Sequence, residues 1–295
     1  MDYKEFLNSK IKLAEKSGLD VGDEAINPVA FEHQKDVITW AVQGGRRAGF
    51  LSFGLGKTLI QLEVLRIYHR LTGGKCLIVC PLGVKQEFVK DAAMLSKSGG
   101  EFEIPKPQYI TNTDEIGEGW LYVTNYERVR MGSINPEFFT CATFDEASIL
   151  RGLSTDTVET MMTSFRSIPY RFVFTATPAP NRFLELTNYA QYLGIMDRGQ
   201  ILTRFFQRDS TKAGNLKLHE KRATEFWMWM ASWACFVTKP SDLGYSDDGY
   251  DLPALKITEH RVTYDRGVIV DNRDNQTQMF ANAAKSLQHQ SQEKR

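Results

Sequence analysis

Short apolar runs recur along the chain at Gly49–Phe53, Cys76–Cys80, Gln108–Thr111, Trp120–Thr124, Thr140–Phe144 and Arg171–Thr175. Between them lie stretches whose apolar residues return every three or four positions, as in Leu59-Ile60-Gln61-Leu62-Glu63-Val64-Leu65. Consecutive apolar positions bounded by breakers predict strands buried on both faces, and the longer period predicts helices. Their alternation predicts an α/β fold, a parallel sheet covered by helices. Past Pro180 the texture becomes helical and aromatic. Within Phe226–Phe236, Trp229 and Trp233 stand one helical turn apart, which predicts a core helix. Ser241–Leu252, with Asp247-Asp248-Gly249 and then Pro253, reads as a loop.

Length and composition narrow the class. At 295 residues, 42% hydrophobic and 24% charged, the chain suits one large or two modest globular domains. Basic and acidic residues balance at 36 each, so contact with a nucleic acid would need a local patch rather than a global positive field. The start, Met1-Asp2-Tyr3-Lys4-Glu5-Phe6, is charged, and no apolar stretch approaches the ~18 residues of a membrane span; the expected location is cytoplasmic, with no membrane partner. Cys76 and Cys80 share one predicted strand, roughly 13 Å apart, beyond disulfide reach. No cysteine or histidine pair has zinc-ligand spacing.

The candidate chemistry follows the strands. Gly54-Leu55-Gly56-Lys57-Thr58 sits between a predicted strand and a predicted helix, the order of a phosphate loop. Glycines let successive N–H groups turn inward toward phosphate oxygens, the helix N-terminus adds its positive end, and Lys57 adds a point charge. Thr58 can offer its hydroxyl to Mg²⁺. Leu51 stands where the first glycine of G-x-x-x-x-G-K-[ST] belongs. A second group, Asp145-Glu146, emerges from an apolar strand: one carboxylate for the Mg²⁺ shell, the next to deprotonate a water attacking a γ-phosphate. Thr175 and Thr177 end a further strand and could hydrogen-bond a neighbouring carboxylate. Gln34 could present its amide to an adenine edge.

Taken in order, glutamine, G-L-G-K-T, V-C-P-L, V-T-N-Y-E, D-E-A-S and T-A-T-P resemble superfamily-two helicases and translocases over residues 28–260. Gly54–Thr58, Thr124-Asn125-Tyr126-Glu127 and Thr177-Pro178-Ala179-Pro180-Asn181 resemble the Swi/Snf-like branch. Asp145-Glu146-Ala147-Ser148-Ile149-Leu150 and Lys239-Pro240-Ser241-Asp242-Leu243-Gly244 resemble phage-encoded DEAD/DEAH-box-like helicases more closely still. The resemblance implies a RecA-like phosphate-loop lobe over 28–195, a helical N-terminal extension over 1–27, a helical and loop extension over 196–265, and a polar segment over 266–295. It implies ATP and Mg²⁺ as cofactors. Nucleotide contacts fall at Gln34, Gly54, Leu55, Gly56, Lys57 and Thr58, metal and water chemistry at Asp145 and Glu146, and coupling at Ser148, Thr175 and Thr177. Pro81, Leu82, Gly83, Thr124 and Asn125 match motifs that touch a nucleic-acid backbone, with double-stranded DNA the expected partner in a bacterial or phage-infected cell. The family often carries His where Ser148 stands.

Only the first lobe is recognisable, and in this family a second RecA-like lobe supplies arginines to the transferring phosphate. The remainder is expected in cis or in trans, and the 295-residue chain is expected to bind ATP and turn it over slowly. Two other readings stay open: a nucleotide-dependent binding module without motor activity, and a phosphate-loop kinase of small molecules.

Overall fold

The computed structural model describes residues 13–151, 156–179, 181–208, 215–250 and 256–260. Residues 1–251 form one compact unit and 252–295 a second; in the second, 256–260 is exposed and without regular structure. The expected polar segment 266–295 lies outside the described residues, as do 1–12 and Pro180. The expected N-terminal helix does not extend over 13–22, and a single 3-10 turn, Asp23–Ala25, precedes the first helix.

Among the described residues, helices α1 (Glu32–Gly44), α2 (Lys57–Thr72), α3 (Lys85–Leu95), α4 (Tyr126–Arg130), α5 (Asp156–Ser164), α6 (Leu186–Leu193), α7 (Arg198–Phe205) and α8 (Ala223–Ala231) are interspersed with nine strands. These are β1 (Arg46–Leu51), β2 (Cys76–Cys80), β3 (Gln108–Tyr109), β4 (Leu121–Asn125), β5 (Cys141–Asp145), β6 (Tyr170–Thr175), β7 (Phe206–Arg208), β8 (Leu216–Leu218) and β9 (Ala234–Val237). Seven of them form one sheet in the order β3-β4-β2-β5-β6-β1-β9. Every pairing in it is parallel. The other two, β7 and β8, make a separate antiparallel pair.

Each central strand feeds two cores. In β2, Leu77 and Val79 face one layer while Cys76, Ile78 and Cys80 face the other. This is the pleat's period of two acting on a run with no polar member, the reason the strands read as continuous apolar segments. One layer holds Phe165, Tyr189, Tyr192, Phe205, Phe226 and Trp229. The opposite layer holds α1–α3 residues such as Ile38, Ile60, Leu65 and Phe88.

The six expected strands are present, Cys76–Cys80 with the expected bounds and the other five with ends shifted. The first starts at Arg46 and stops at Leu51, because Phe53 is already in the turn and 77% exposed. The helix expected over Phe226–Phe236 is two elements: α8 stops at Ala231, and the chain re-enters the sheet as β9 alongside β1. Trp233 therefore lies beyond the helix. It is fully buried, its ring 5.3 Å from that of Trp229, and its carbonyl accepts from Ala48 N–H at 2.9 Å. The stretch expected as helix and loop thus completes the main sheet.

Candidate nucleotide site

In a parallel sheet all strands deliver their carboxyl ends to one edge, where ligands bind. Here that edge collects the turn after β1, the 3-10 turn Leu82–Val84 after β2, the end of β5 and the end of β6.

The phosphate loop turns on Gly54 and Gly56, whose φ angles of 84° and 75° favour residues without a Cβ. Gly56 immediately precedes α2, and a Cβ there would meet the Gln34 amide at 2.3 Å. Leu55, 2% exposed, pins the loop to the core. Lys57 opens α2, and its Nζ donates to the carbonyls of Leu51 and Ser52, both at 3.1 Å, across the loop. It also lies 5.2 Å from the centre of the Phe53 ring. Burial lowers the Lys57 ammonium from its ordinary range, against the opposing pull of Asp145 and Glu146. Gln61, one helical turn after Lys57 on α2, bonds Asp145, which puts the start of that helix and the acid pair on one side of the molecule.

Asp145 ends β5 and is 6% exposed. Burial raises its carboxyl above the usual range, while a hydrogen bond from Gln61 and the charge of Lys57 hold it down in part. Gln61 Nε2 donates to Asp145 Oδ1 at 2.8 Å, and Thr143 Oγ1 donates to Gln61 Oε1 at 2.7 Å. The amide is thereby oriented by one neighbour and orients the next. Tyr126 Oη donates to the Asp145 carbonyl at 2.6 Å, bracing the strand tip from α4. Neither Gln61 nor Tyr126 is legible as a site residue in the sequence. The one available signal is a glutamine among buried apolar neighbours a helical turn after Lys57.

Glu146 has φ 47°, which makes it the one non-glycine residue with positive φ among the described residues. Such a conformation costs on the order of 1 kcal/mol or more and persists where surrounding contacts hold it. Here Thr175 Oγ1 donates to Glu146 Oε1 at 3.3 Å and accepts from Thr177 N–H at 3.1 Å. Ser148 Oγ donates to the Glu146 carbonyl at 3.3 Å. The expected coupling residues thus gather around this one glutamate. Asp145 and Thr58 carry the hard oxygen atoms that could hold Mg²⁺.

Three of the expected contact residues make bonds within the fold, and for one of them, Thr124, the expectation needs correction. Gln34 is 3% exposed, its Oε1 accepts from Phe31 N–H at 3.0 Å, and its Nε2 donates to the Leu55 carbonyl at 3.2 Å. Each amide atom makes one bond to backbone, so Gln34 braces the phosphate loop from α1 while one N–H and one acceptor lone pair of the amide stay uncommitted. Beside it, Phe31 stacks on His33 at 5.9 Å, and Tyr250 meets His33 edge-on at 5.3 Å. Thr124 is completely buried and its hydroxyl donates to the Ile110 carbonyl at 2.9 Å, which removes it from any backbone-contacting surface. Asn125 is nearly buried and caps α4, accepting from Arg128 N–H at 3.0 Å. Leu82 and Gly83, by contrast, are exposed.

Among solved structures, the chain is similar to the Sulfolobus solfataricus SWI2/SNF2 ATPase core domain, at 17% identity and a TM-score of 0.57 over 77% of this chain and 47% of that one. The same core in complex with dsDNA gives 17% identity and a TM-score of 0.56 over 75% and 47%. The fold is that of a RecA-like lobe, a parallel sheet covered by helices. The chain spans about half the length of these cores. The UvsW helicase of bacteriophage T4 matches at 20% identity and a TM-score of 0.44, over 66% of this chain and 64% of that one. No family model and no curated protein matches.

Proposed function

We propose that this chain is the ATP-binding lobe of an ATP-dependent DNA helicase or translocase of the superfamily-two, Swi/Snf-like kind, coupling ATP hydrolysis to movement along a nucleic-acid backbone. The observation that supports it most is the meeting of a positive-φ glycine loop, Lys57 and the Asp145-Glu146 pair at one sheet edge. In this reading the loop N–H groups and Lys57 bind the β- and γ-phosphate oxygens. Thr58 and Asp145 hold Mg²⁺, which when bound neutralises charge on the phosphates. Glu146, held by Thr175, takes the proton of the attacking water. Ser148 and Thr177 then relay the state of that glutamate to the surrounding chain. Asp145 supports a hydrolase over a kinase because its neighbour is a carboxylate positioned for water.

Pro81, Leu82 and Gly83 are the candidate DNA contacts, to the phosphodiester backbone and therefore blind to sequence and sensitive to salt. The dsDNA-bound Sulfolobus core is the fold-level support for a duplex partner. A second RecA-like lobe, in cis or in trans, supplies the arginines that speed hydrolysis. The test is titration of Mg²⁺–ATP against the 295-residue chain, followed by steady-state phosphate release with and without duplex DNA. Saturable binding that Lys57→Ala weakens about tenfold or more is expected, with slow release. Unchanged affinity in Lys57→Ala would remove the phosphate loop from the reading. Release at ordinary motor rates from this chain alone would remove the second lobe.

A further inference from the structure

A cavity of about 820 Å³ opens at the opposite edge of the sheet, and Arg46, Arg166, Arg171 and Arg198 all line it. Arg46 is the first residue of β1 and Arg171 the second of β6, and the two are direct partners in the parallel register. Thr175, at the nucleotide edge, is four strand residues from Arg171, or about 13 Å. This is a separate place from the phosphate loop.

The two guanidinium groups converge. A Cβ placed on Gly194, the C-cap of α6, would lie 2.7 Å from Arg171 Nη2 and 3.1 Å from Arg46 Nη1, so those nitrogens stand within 5.8 Å of each other. Like charges paired across strands are unfavourable. Arg171 is 3% exposed, and yet no carboxylate among the described residues forms an ion pair with it or with Arg46, Arg166 or Arg198. Of the other buried arginines, Arg66 meets Glu63 at 2.5 Å, whereas Arg47 donates to the Glu15 and Arg46 carbonyls and lies over the Trp40 ring; what sets Arg171 apart is the second guanidinium beside it.

The donor count points the same way. Arg171 gives Nη1 to the Phe165 carbonyl and Nη2 to the Leu193 carbonyl, both at 3.2 Å, and its buried Nε has no partner. Arg46 uses Nε on the Pro169 carbonyl at 2.9 Å, which leaves its four Nη–H groups for something else. Arg198 Nε is also buried and unpartnered. Glu159 and Asp197 line the cavity as well, and Asp197 is occupied as the cap of α7, accepting from Gly199 N–H at 2.8 Å. Four guanidinium groups against two carboxylates leave a net positive chamber. A single carboxylate ligand satisfies one arginine fork, whereas phosphate carries enough oxygens and charge for several.

We propose that this cavity is a second phosphate site, in which Arg46, Arg166 and Arg198 bind a phosphate-bearing anion in front of the buried Arg171. The ligand is either a free polyphosphate or a stretch of phosphodiester backbone. The inference stands independently of the nucleotide-site reading. Calorimetric titration of sodium tripolyphosphate into the full Lys57→Ala chain tests it, because that background weakens the phosphate loop. A saturable component is expected, weakened about tenfold or more in Arg46→Gln/Arg166→Gln and largely kept in Arg46→Lys/Arg166→Lys. A titration whose every component is indifferent to the glutamine pair overturns the proposal, as does the absence of any binding. If the double variant melts early, Arg166→Gln, at an exposed position, carries the same comparison alone. Competition by a short DNA duplex for the arginine-dependent component assigns the site to backbone phosphate; failure to compete assigns it to a free anion. Mg²⁺–ATP affinity in the arginine variants of the otherwise unaltered chain stays at its original value, so this site and the phosphate loop succeed or fail separately.

Discussion

At the carboxyl ends of β1, β5 and β6, Lys57 meets the acids Asp145 and Glu146, and hydrogen bonds from Gln61 and Thr175 hold the acids in place. At the amino ends of β1 and β6, Arg46 and Arg171 stand side by side, with backbone carbonyls as their hydrogen-bond partners. The first edge has opposite charges with fixed geometry, which suits chemistry on a bound phosphate. The second has like charges with spare donors, which suits holding an anion without transforming it. Buried charge is thus not one phenomenon in this lobe, and its meaning follows from what faces it.

The sharpest way to break the contrast is Glu146→Gln. The amide keeps the shape and loses basicity, so single-turnover hydrolysis should fall by about 10² to 10⁴ while Mg²⁺–ATP affinity stays within a few-fold. Equal turnover in the variant would leave the acid pair with no catalytic distinction from the arginine edge.

Next in size is Gln61→Leu. It strips a donor from Asp145 and an acceptor from the buried Thr143 hydroxyl, and should cost about 2 to 3 kcal/mol in denaturant unfolding. A smaller loss would mean that the clamp is less tight than its distances.

At the arginine edge, Gly194→Ala places a methyl against Arg171 at a φ of 70° and should cost about 1 to 2 kcal/mol. Its effect on Mg²⁺–ATP binding should be nil, which checks that the two edges are independent.

The smallest effect separates them by pH. Burial raises the Asp145 carboxyl, so the native state holds its proton to higher pH than the unfolded chain does. The ionised form therefore weighs against folding above about pH 4, where the unfolded acid is already charged. Asp145→Asn should raise the melting temperature near neutrality, and the gain should fade as pH drops toward that value. A melting-temperature difference independent of pH would show that burial of this carboxylate is not what strains the edge.

Much of this was legible in the linear pattern. The six strands of the expected sheet stood out because burial leaves few polar members in each run and none in Cys76–Cys80, and the phosphate loop and acid pair sit at strand ends where turn chemistry is local. The strand Ala234–Val237 was hidden, since it continues an apolar helix without a breaker and period alone cannot part the two. The short pair Phe206–Arg208 and Leu216–Leu218 has too few residues to show a period. Thr124 read as a surface contact because a motif names a residue type, whereas its hydroxyl answers to Ile110, 14 positions away.

From its own order of residues, the chain determined the alternating α/β layers and the strand-end placement of the glycine loop and the acid pair, because periodicity, glycine turns and strand-end acids are local properties. Tertiary structure alone decided that Gln61 steers Asp145, that Gln34 braces the loop, and that Arg46 and Arg171 share one chamber. Each of those depends on which strands become neighbours, and strand order is set by the packing of the whole sheet rather than by any segment of it.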